Sequence, residues 1–568
     1  MSDSALNPMP EAAQKLSGAQ ILIKLLERQG IKHIIGIPGG ANLPMYDALT
    51  GSEIQHVLAR HEQGAGFIAQ GMARVSGEAQ VCFASSGPGA TNLVTAVADA
   101  HLDSIPLVAI TGQVPQAMIG TDAFQEVDTF GMMLPITKHN WMVRSVEELI
   151  EVIPEAFRVA LSGRPGPVSV DVPKDVQNQI FEISEWPEPG RADALPSFDE
   201  ADIRRFADMV KAAKRPVLMV GGGVVAAGAT EDALAFAERL DLPTVCSFMG
   251  LGVMPPEHPL YLGMLGMHGA RCTNMILDEC DLLIGMGVRF DDRATGKVEA
   301  FVPNAAILHV DIDESEIGKI KNPSLAIRAC VGEVLCDLNQ DDIRMQRPLW
   351  RQRVDQLKES HPLVLEGKDD IFRPYGLMTA VAEIVGDDAN ISTDVGQHQM
   401  WAAQAYPLRR PRQWLSSGGL GTMGFGMPAA IGAALQQPER PSVCFSGDGS
   451  FKMNMQELET AVELGLNMKV VLLNNGHLGL VRQQQELFYG ERYNAVRYDR
   501  APDFVMFAQA MGAEGIDLGQ CENPREALEQ ALTSPGPCLI NVPIEAAEMV
   551  FPMVPPGGAN KDMIGGEC

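Results

Sequence analysis

Two polar loops in the C-terminal third of the chain each follow a short apolar run. Gly447-Asp448-Gly449-Ser450 follows the run at 442–445, and Asn475 follows the run at 470–473. Such runs are typical of strands buried in a parallel sheet, and open α/β sheets bind ligands at the edge where the carboxyl ends of their strands lie. Glycines let a backbone approach phosphate closely, and carboxylate and amide oxygens suit Mg²⁺. The two loops therefore predict a diphosphate held through a metal ion.

The combination of GDG and NN in these two loops resembles the signature of thiamine diphosphate enzymes. Further segments narrow the resemblance to the catalytic large subunits of the acetohydroxyacid synthase (acetolactate synthase) family. These segments are RHEQGAG at 60–66, DVGQHQMW at 394–401 and LGTMGFG at 420–426. The similarity extends from about residue 19 to the C-terminus. It implies the thiamine diphosphate-binding fold, which is built from three α/β domains.

The pattern of apolar runs also predicts an α/β fold. Runs that alternate with helix-like stretches indicate doubly wound parallel sheets, and 568 residues are too many for one hydrophobic core. A Pro- and Gly-rich passage from residue 186 and a charged stretch at 340–370 separate three domains. We place them at 17–185, 199–338 and 371–568, the last with a C-terminal tail. The resemblance identifies them as the pyrimidine-binding, FAD-binding and diphosphate-binding domains.

The first and third domains share a further pattern. The Gly-rich loops at 85–91 and 416–422 each lead into an Ala-rich helix. An ancient duplication explains this likeness, and so do two strand-to-helix turns that arose independently. The sequence leaves both explanations open, although the family resemblance favours duplication because the pyrimidine and diphosphate domains of such enzymes share one topology.

Composition narrows the class of protein. A net charge of −28 argues against binding to nucleic acid, and no apolar run of about 18 residues predicts a membrane span. Residues 1–15 lack a basic-then-apolar pattern, so we expect neither a signal peptide nor a transit peptide. The 10 cysteines are scattered without CxxC pairs. They predict reduced thiols and a cytoplasmic location.

Glu62 lies where a helix is predicted to begin. An isolated glutamate at this place usually does no more than interact favourably with the helix dipole. The RHEQGA segment, however, is similar to the activating-glutamate motif of the family. The resemblance implies that Glu62 hydrogen-bonds the aminopyrimidine ring of thiamine diphosphate and promotes removal of the C2 proton from the thiazolium ring.

The resemblance also assigns the rest of the thiamine site. Met423 would lie between the two rings of the cofactor and keep it bent, a task that suits a flexible apolar side chain. The metal ligands would be the side chains of Asp448 and Asn475 and the backbone carbonyl of His477. The other residues implied to contact the thiazolium and diphosphate are Val395, Gly396, Gln397, His398, Gly421, Gly447, Gly449 and Ser450.

A second cofactor, FAD, is implied for the central domain. Gly221-Gly222-Gly223 follows a predicted strand, so its backbone can approach a dinucleotide. The segments at 264–269 and 287–293 match the flavin segments of the family. Because the implied reaction transfers no electrons to its second substrate, we expect the flavin to be structural. The implied contacts are Arg164, Gly221, Gly222, Gly223, Met264, His268, Gly287, Arg289, Asp291, Arg293 and Asp311.

The implied reaction is the first common step of branched-chain amino acid biosynthesis. Pyruvate is decarboxylated on thiamine diphosphate, and the hydroxyethyl carbanion condenses with a second pyruvate or with 2-ketobutyrate. The products are 2-acetolactate and 2-aceto-2-hydroxybutyrate. Arg293 would recognise the carboxylate of the second substrate, Gln125 and Phe124 would line the same site, and Lys174 would stand at its entrance.

The resemblance also implies partners. Glu62 and Asp448 belong to different predicted domains, and the family arrangement places each active site between two subunits. We therefore expect a homodimer or homotetramer of catalytic subunits together with a small regulatory subunit.

Three alternatives stay open. A relative of pyruvate oxidase or pyruvate decarboxylase would use the same cofactor and form acetate or acetaldehyde. The FAD-free catabolic acetolactate synthase would lack the flavin. A non-catalytic scaffold with a degenerate thiamine fold is the third, although Glu62, Asp448 and Asn475 are all present.

Acceptor selectivity gives the first testable prediction. Many family members carry a tryptophan after the NN motif that favours 2-ketobutyrate over pyruvate, and Gln484 takes that place in this chain. Without the apolar wall, discrimination by one methylene, which is a matter of about 1–3 kcal/mol, should weaken. We expect low selectivity in competition assays with mixed pyruvate and 2-ketobutyrate. A strong bias towards 2-ketobutyrate would show that Gln484 does not set the preference.

Overall fold

The computed structural model describes residues 13–341, 343–500 and 502–566. The chain divides into two compact units. Of the described residues, those up to 193, except 74–76, form the first unit, and residues 74–76 with those from 194 onwards form the second. The expectation about a signal or transit peptide falls mostly on residues 1–12, which lie outside the described residues.

The first unit contains a six-stranded parallel sheet and a small antiparallel pair, β1 with β8. Its strands β4 and β5 are buried along their whole length, as expected when helices cover both faces of a parallel sheet. The strands are β1 (Gln14–Ser17), β2 (His33–Gly36), β3 (Gln55–Leu58), β4 (Gln80–Ala84), β5 (Leu107–Gln113), β6 (His139–Met142), β7 (Val168–Pro173) and β8 (Ile180–Ile183). The helices are α1 (Gly18–Arg28), α2 (Leu43–Ala48), α3 (Glu62–Ser76), α4 (Pro88–Asp103), α5 (Thr129–Met133), α6 (Val146–Leu161) and α7 (Lys174–Asn178).

The second unit begins with the central sheet, which is parallel throughout and has the order β11-β10-β9-β12-β13-β14. Numbered from its first strand, this is 3-2-1-4-5-6, the order of dinucleotide-binding folds. The strands are β9 (Pro216–Val220), β10 (Thr244–Cys246), β11 (Tyr261–Met264), β12 (Leu282–Met286), β13 (Ala306–Asp311) and β14 (Leu325–Arg328). The helices are α8 (Glu200–Ala212), α9 (Gly222–Ala226), α10 (Thr230–Leu240), α11 (Arg271–Glu279), α12 (Asp292–Thr295), α13 (Val331–Leu338) and α14 (Pro348–Ser360).

The C-terminal sheet of the second unit is also parallel, with the order β16-β15-β17-β18-β20-β19. Its strands are β15 (Asn390–Thr393), β16 (Trp414–Leu415), β17 (Ser442–Gly447), β18 (Met468–Asn474), β19 (Glu514–Asp517) and β20 (Cys538–Pro543). The helices are α15 (Pro374–Val385), α16 (Gln397–Ala405), α17 (Gly426–Gln436), α18 (Asp448–Phe451), α19 (Glu457–Glu463), α20 (Gly479–Phe488), α21 (Phe504–Ala510) and α22 (Pro524–Thr533). Three doubly wound parallel sheets thus confirm the predicted fold class.

The six-stranded sheet of the first unit and the C-terminal sheet share one topology. Numbered from the first strand of each six-stranded sheet, both have the order 2-1-3-4-6-5. This identity supports duplication over two independent turns. The two Gly-rich loops are not equivalent positions, however, because the loop at 85–91 follows the third strand of its sheet and the loop at 416–422 follows the second. Their likeness is therefore local.

The segment that follows β20 returns to the central sheet. It lies against the segments that follow strands β11 and β12, so the C-terminal tail packs on the central layer. The hydrogen bonds that hold it are His268 Nδ1 with the Pro552 carbonyl (3.1 Å), Val554 N–H to the Met267 carbonyl (2.9 Å), Lys297 N–H to the Gly558 carbonyl (2.9 Å) and Asn560 Nδ2 to the Ala294 carbonyl (2.7 Å).

Two further features of the described residues bear on the expectations from composition. No helix among them is both long and apolar enough to cross a membrane. The nine cysteines among them are all free thiols.

Helix α14 lies in the charged stretch between the second and third predicted domains. Trp350, Val354 and Leu357 form its buried face and join the core of the central layer with Val217 and Leu283. The Trp350 indole N–H also donates to the carbonyl of Pro216 on β9, at 3.0 Å. The helix therefore belongs physically to the central layer.

Adjacent residues of α14 give a matched pair of substitutions. Trp350 is 3% exposed and Leu349 is 82% exposed. Trp350→Ala should cost about 3–5 kcal/mol, because it leaves a cavity and removes the hydrogen bond to Pro216. Leu349→Ala should change stability by less than about 0.5 kcal/mol. Thermal unfolding followed by far-ultraviolet circular dichroism measures both, and equal melting temperatures would contradict the placement of α14.

Candidate functional site

Glu62 is the first residue of α3, with His61 as the N-cap. The His61 ring accepts the Gln63 N–H through Nδ1 at 3.1 Å, which fixes the start of the helix. The carboxylate of Glu62 accepts a hydrogen bond from the Asn92 side-chain amide at 2.8 Å. A Cβ on Gly89 would lie 3.3 Å from Glu62 Oε1. The glutamate is therefore held against the N-terminal part of α4.

The loop before α4 also contacts Gln125. A Cβ on Gly87 would lie 2.7 Å from the Gln125 carbonyl oxygen, so only glycine fits at this point. Both Gly87 and Gln125 have left-handed backbones, with φ of 58° and 59°. Phe124 beside it is 87% exposed, and Lys174 begins α7 directly after β7. In the first unit the structure thus brings Glu62 and Gln125 to the same glycine-rich loop.

The second unit contains a pocket at the carboxyl edge of the C-terminal sheet. It opens where the strand order changes direction, between β15 and β17, which is the position where open α/β sheets bind ligands. The pocket brings together nearly all the residues predicted for the thiazolium, diphosphate and metal. They are Val395, Gly396, Gln397, His398, Met423, Gly447, Asp448, Gly449, Ser450, Asn475 and His477.

Asp448 has the properties of an unsatisfied metal ligand. Its side chain is buried, and Oδ2 makes no hydrogen bond in the part of the chain that the structure describes. Lys452 Nζ lies 3.7 Å from this oxygen. Burial raises the pKa of the Asp448 carboxyl above its ordinary value, because an apolar environment disfavours the charged form. A divalent cation at Oδ2 would compensate the buried charge, so the residue fits a metal site.

Asn475 and His477 line the same pocket. The Asn475 side-chain oxygen accepts the His477 N–H at 3.0 Å, and the His477 ring contacts the Asn475 carbonyl through Nδ1 at 2.7 Å. An amide oxygen has two lone pairs, so this hydrogen bond leaves one for a cation. Among the described residues no cluster of three His, Cys, Asp or Glu side chains could hold a metal. A metal here would need phosphate or water ligands besides the protein.

His398 faces the pocket as a neutral imidazole. It is buried, and burial lowers its pKa to about 3 because the charged form is disfavoured away from water. Its Nε2 has no hydrogen-bond partner among the described residues. An unpartnered ring nitrogen at this position fits a ligand such as a diphosphate oxygen, provided that Nε2 carries the proton.

The side chain of Gln397, unlike that of His398, has its hydrogen-bond partners within the protein. Its side-chain amide donates to Gln483 Oε1 at 3.0 Å and to the carbonyl of Glu548 at 2.7 Å. Gln483 in turn exchanges two hydrogen bonds of 2.9 Å with the backbone of Val550. Asn475 donates to Gln397 Oε1 at 3.4 Å. The pocket wall is thus connected to the segment that follows β20.

Two glycines of the pocket lie in close contact with neighbouring side chains. A Cβ on Gly447 would lie 2.9 Å from the His398 ring, and one on Gly449 would lie 2.8 Å from Leu478. Real Cβ atoms essentially never approach other atoms so closely, so a larger residue at either position would require the His398 ring or the Leu478 side chain to shift. The GDG loop can therefore present its backbone to a phosphate, as glycine-rich turns do. Gly421 lies outside the pocket lining, on the turn that carries Met423.

The central sheet has a second candidate edge, at the switch point between β9 and β12. Gly221 and Gly223 follow β9, and Gly287 follows β12. The Gly221 N–H donates to the Met286 carbonyl at 3.0 Å, and the Gly223 N–H donates to the Gly287 carbonyl at 3.1 Å. A Cβ on Gly223 would lie 2.6 Å from Gly287 Cα. The two predicted nucleotide segments are therefore in direct backbone contact.

Four other predicted FAD residues, Arg289, Asp291, Arg293 and Asp311, lie around this edge. Arg289 follows Gly287 and has no hydrogen bond or ion pair within the described ranges. Asp291 is the N-cap of α12, and its Oδ1 accepts the N–H groups of Arg293 and Ala294, each at 3.1 Å. Asp311 ends β13, the neighbour of β12. These placements fit a dinucleotide along the edge.

Three predicted FAD residues have other surroundings. His268 is buried, which lowers its pKa to about 4, and it contacts the Pro552 carbonyl. Met264 ends β11. Arg164 belongs to the first unit, where its Nε donates to Ser104 Oγ at 2.8 Å.

Sequence reasoning missed several residues of these sites. Asn92, which donates a hydrogen bond to Glu62, lies one position beyond the glycine-rich loop at 85–91. Gln483 lies next to Gln484, and Asp394 precedes the strip at 395–398. The sequence carries no signal for Gln483, because its partner Val550 is far along the chain. Asp394 had the signal of a charged residue at the end of an apolar strand.

Comparison with known protein families gives the same family in three parts of the chain. Models of the thiamine pyrophosphate enzyme family match three parts of it. They are the N-terminal thiamine pyrophosphate-binding domain at 16–132, the central domain at 203–338 and the C-terminal thiamine pyrophosphate-binding domain at 394–542.

Curated relatives cover nearly the whole chain. The acetolactate synthase isozyme 1 large subunit of Escherichia coli K12 is 57% identical and aligns over 97% of this chain and 98% of its own length. The isozyme 2 large subunit of the same organism is 45% identical over 97% and 99%. A probable acetolactate synthase large subunit of Methanocaldococcus jannaschii is 43% identical over 96% and 94%. The chain belongs to the acetolactate synthase large-subunit family of thiamine pyrophosphate enzymes.

Proposed function

We propose that the chain is the catalytic large subunit of an acetolactate synthase. It decarboxylates pyruvate and joins the two-carbon unit to a second pyruvate or to 2-ketobutyrate, the first common step of branched-chain amino acid biosynthesis. The observation that carries the proposal is that Met423, Asp448 and Asn475 line the same pocket, at a topological switch point. The names of relatives that align over nearly the whole chain support the same reaction.

Thiamine diphosphate, when bound, supplies the electron sink that decarboxylation requires. In our proposal Glu62 holds a proton in hydrogen-bonding contact with the aminopyrimidine, and Asn92 orients the Glu62 carboxylate through their 2.8 Å hydrogen bond. Met423 would fill the space between the two rings of the cofactor and exclude water. His398 would donate from Nε2 to the diphosphate, and the backbone of Gly449 would lie close to it.

Mg²⁺ would be held by the side chains of Asp448 and Asn475 and by the carbonyl of His477. The unpartnered Oδ2 of Asp448 supports this assignment. The ion would neutralise charge on the diphosphate, which is the usual role of Mg²⁺ beside phosphates.

FAD would lie along the edge between β9 and β12. The 3-2-1-4-5-6 strand order and the contact between Gly223 and Gly287 support a dinucleotide there. Arg289 has a guanidinium free to bind a phosphate. The role of this flavin is structural, since the condensation requires no electron transfer.

The second substrate would be recognised by Arg293, with Gln125, Phe124 and Lys174 completing the site. Arg293 is exposed, and its Nε lies 3.8 Å from Asp292, a weak contact that leaves the guanidinium available for a carboxylate. The catalytic subunits assemble as a homodimer or homotetramer. The large-subunit names of the relatives support a small regulatory partner. A cytoplasmic location is also part of the proposal, and it rests on the free cysteines.

Glu62→Gln tests the mechanism. It removes the proton-exchanging group and keeps the side-chain size, so acetolactate formation from pyruvate should fall by about 10²–10⁴-fold. Thiamine diphosphate binding, measured by calorimetry with Mg²⁺, should persist. Glu53→Gln, an exposed position in the same unit, is the matched control and should retain activity.

Two results would contradict these roles. Normal acetolactate formation by Glu62→Gln would remove Glu62 from the mechanism. Acetate or acetaldehyde as the main product of the unaltered protein would instead indicate a pyruvate oxidase or decarboxylase.

The flavin assignment predicts that the purified protein is yellow. Arg289→Ala should weaken FAD binding on the order of tenfold, because it removes a charge-assisted hydrogen bond to phosphate. Arg328→Ala, on the neighbouring edge strand β14, should leave FAD binding unchanged. Titration of the FAD-depleted proteins with FAD, followed by flavin fluorescence, measures both. A protein that makes acetolactate and never binds FAD would belong with the FAD-free catabolic enzymes.

A further inference from the structure

We propose that Asp394 is the positioning residue that fixes Met423 and the GDG loop relative to each other in the thiamine site. The inference rests on the proposed function, and it adds a residue that lies outside the lining of the pocket. Asp394 follows β15 directly, at the switch point of the C-terminal sheet. It is 1% exposed.

The carboxylate of Asp394 joins three separate segments of the pocket. Oδ1 accepts the N–H of Val395 at 2.9 Å and the N–H of Gly424 at 2.7 Å. Oδ2 accepts the hydroxyl of Ser446 at 3.3 Å. Val395 starts the strip that lines the pocket, Gly424 directly follows Met423, and Ser446 directly precedes the GDG loop. One side chain therefore holds all three segments.

The turn at Met423 depends on such contacts. Gly424 has a φ of 90°, in the left-handed region, and its carbonyl accepts the Asn454 side-chain amide at 2.8 Å. On the other side, the Thr422 N–H donates to Ser417 Oγ at 2.8 Å. A methionine side chain is flexible, so it can separate two rings reproducibly only if its own backbone is fixed. The Gly424–Asp394 hydrogen bond supplies that restraint directly after Met423.

Stability alone does not account for a carboxylate at this position. Its three partners are uncharged, and Asp394 forms no ion pair within the described residues. Burial raises its pKa to about 6, because the ionised form is disfavoured away from water. A buried acid without a cationic partner costs folding free energy, and such groups cluster at functional sites. The cost is consistent with a role in positioning.

The hydrogen-bond pattern suggests two contrasting substitutions. In Asp394→Asn the amide oxygen can still accept the N–H groups of Val395 and Gly424, and the amide nitrogen can donate to Ser446, whose hydroxyl is also an acceptor. Asp394→Leu has a similar size and accepts nothing. The first variant should keep the three segments together, and the second should release them.

The test compares these variants with Ser392→Ala. Ser392 lies on the same strand and is equally buried, and its hydroxyl donates to the Gly426 carbonyl at 2.9 Å. Its replacement removes a buried hydrogen bond without touching Met423 or the GDG loop. For each protein, calorimetry measures the binding of thiamine diphosphate with Mg²⁺, and proton magnetic resonance measures the exchange of the cofactor C2 proton with deuterium. Steady-state kcat and KM for pyruvate complete the set.

We expect Asp394→Leu to slow C2-proton exchange and kcat by about a hundredfold, the loss typical of a misplaced group near the reaction. Cofactor affinity should fall by less than about tenfold, because Asp448 and Asn475 are retained. Asp394→Asn should restore exchange to within about tenfold of the unaltered protein, and Ser392→Ala should exchange normally. If Asp394→Leu does not fold, Asp394→Ser takes its place, since serine is too short to reach all three donors.

Normal exchange in Asp394→Leu or Asp394→Ser would overturn the inference. So would equal losses in the Leu and Asn variants, because hydrogen bonding would then not be the cause. Failure of the unaltered protein to bind thiamine diphosphate would defeat the proposed function as well, which separates the two outcomes.

Discussion

The in-register pairing of β15, β17 and β18 is the constraint on which the proposed thiamine site depends. Thr393 is paired with Phe445, and Gly447 with Leu473. Because the three strands are parallel, their carboxyl ends lie at the same edge of the sheet, and residues far apart in sequence meet there. The apolar interiors of these strands make register costly to change, because a shift of one residue would turn every buried side chain to the opposite face. The geometry of the polar pocket is thus set by apolar packing.

The shared 2-1-3-4-6-5 order extends this argument to the first unit. In the first unit the loop after the second strand leads to Glu62, and in the C-terminal sheet the corresponding loop carries Met423. One topology therefore presents an acid in one copy and an apolar side chain in the other. Duplication followed by divergence at the same edge accounts for this division of roles, since the edge tolerates changes that the sheet interior does not.

The fold class was predictable from the sequence because each strand is a short apolar run with a polar loop after it. The residues of the diphosphate pocket were predictable by family motif, and the structure gathers them, although their roles stay predictions. Asn92 and Gln483 were not predictable, because their partners are set by tertiary packing between distant segments. The sequence also contained a helical pattern for α14, but the many charged residues around it made the pattern hard to recognise. Trp350, Val354 and Leu357 recur at helical spacing within a stretch dominated by charged residues.

The C-terminal segment has a consequence for the order in which the molecule is completed. His268 and Pro552 are separated by 284 positions, and Asn560 supplies a partner for Ala294 across a similar span. During translation the loops of the central sheet leave the ribosome long before these partners exist. The Met267 and Ala294 carbonyls gain these partners only after Val554 and Asn560, respectively, have been synthesised. These loops of the central sheet are therefore completed only after the strands of the C-terminal sheet have been made, although the central strands come first in the chain.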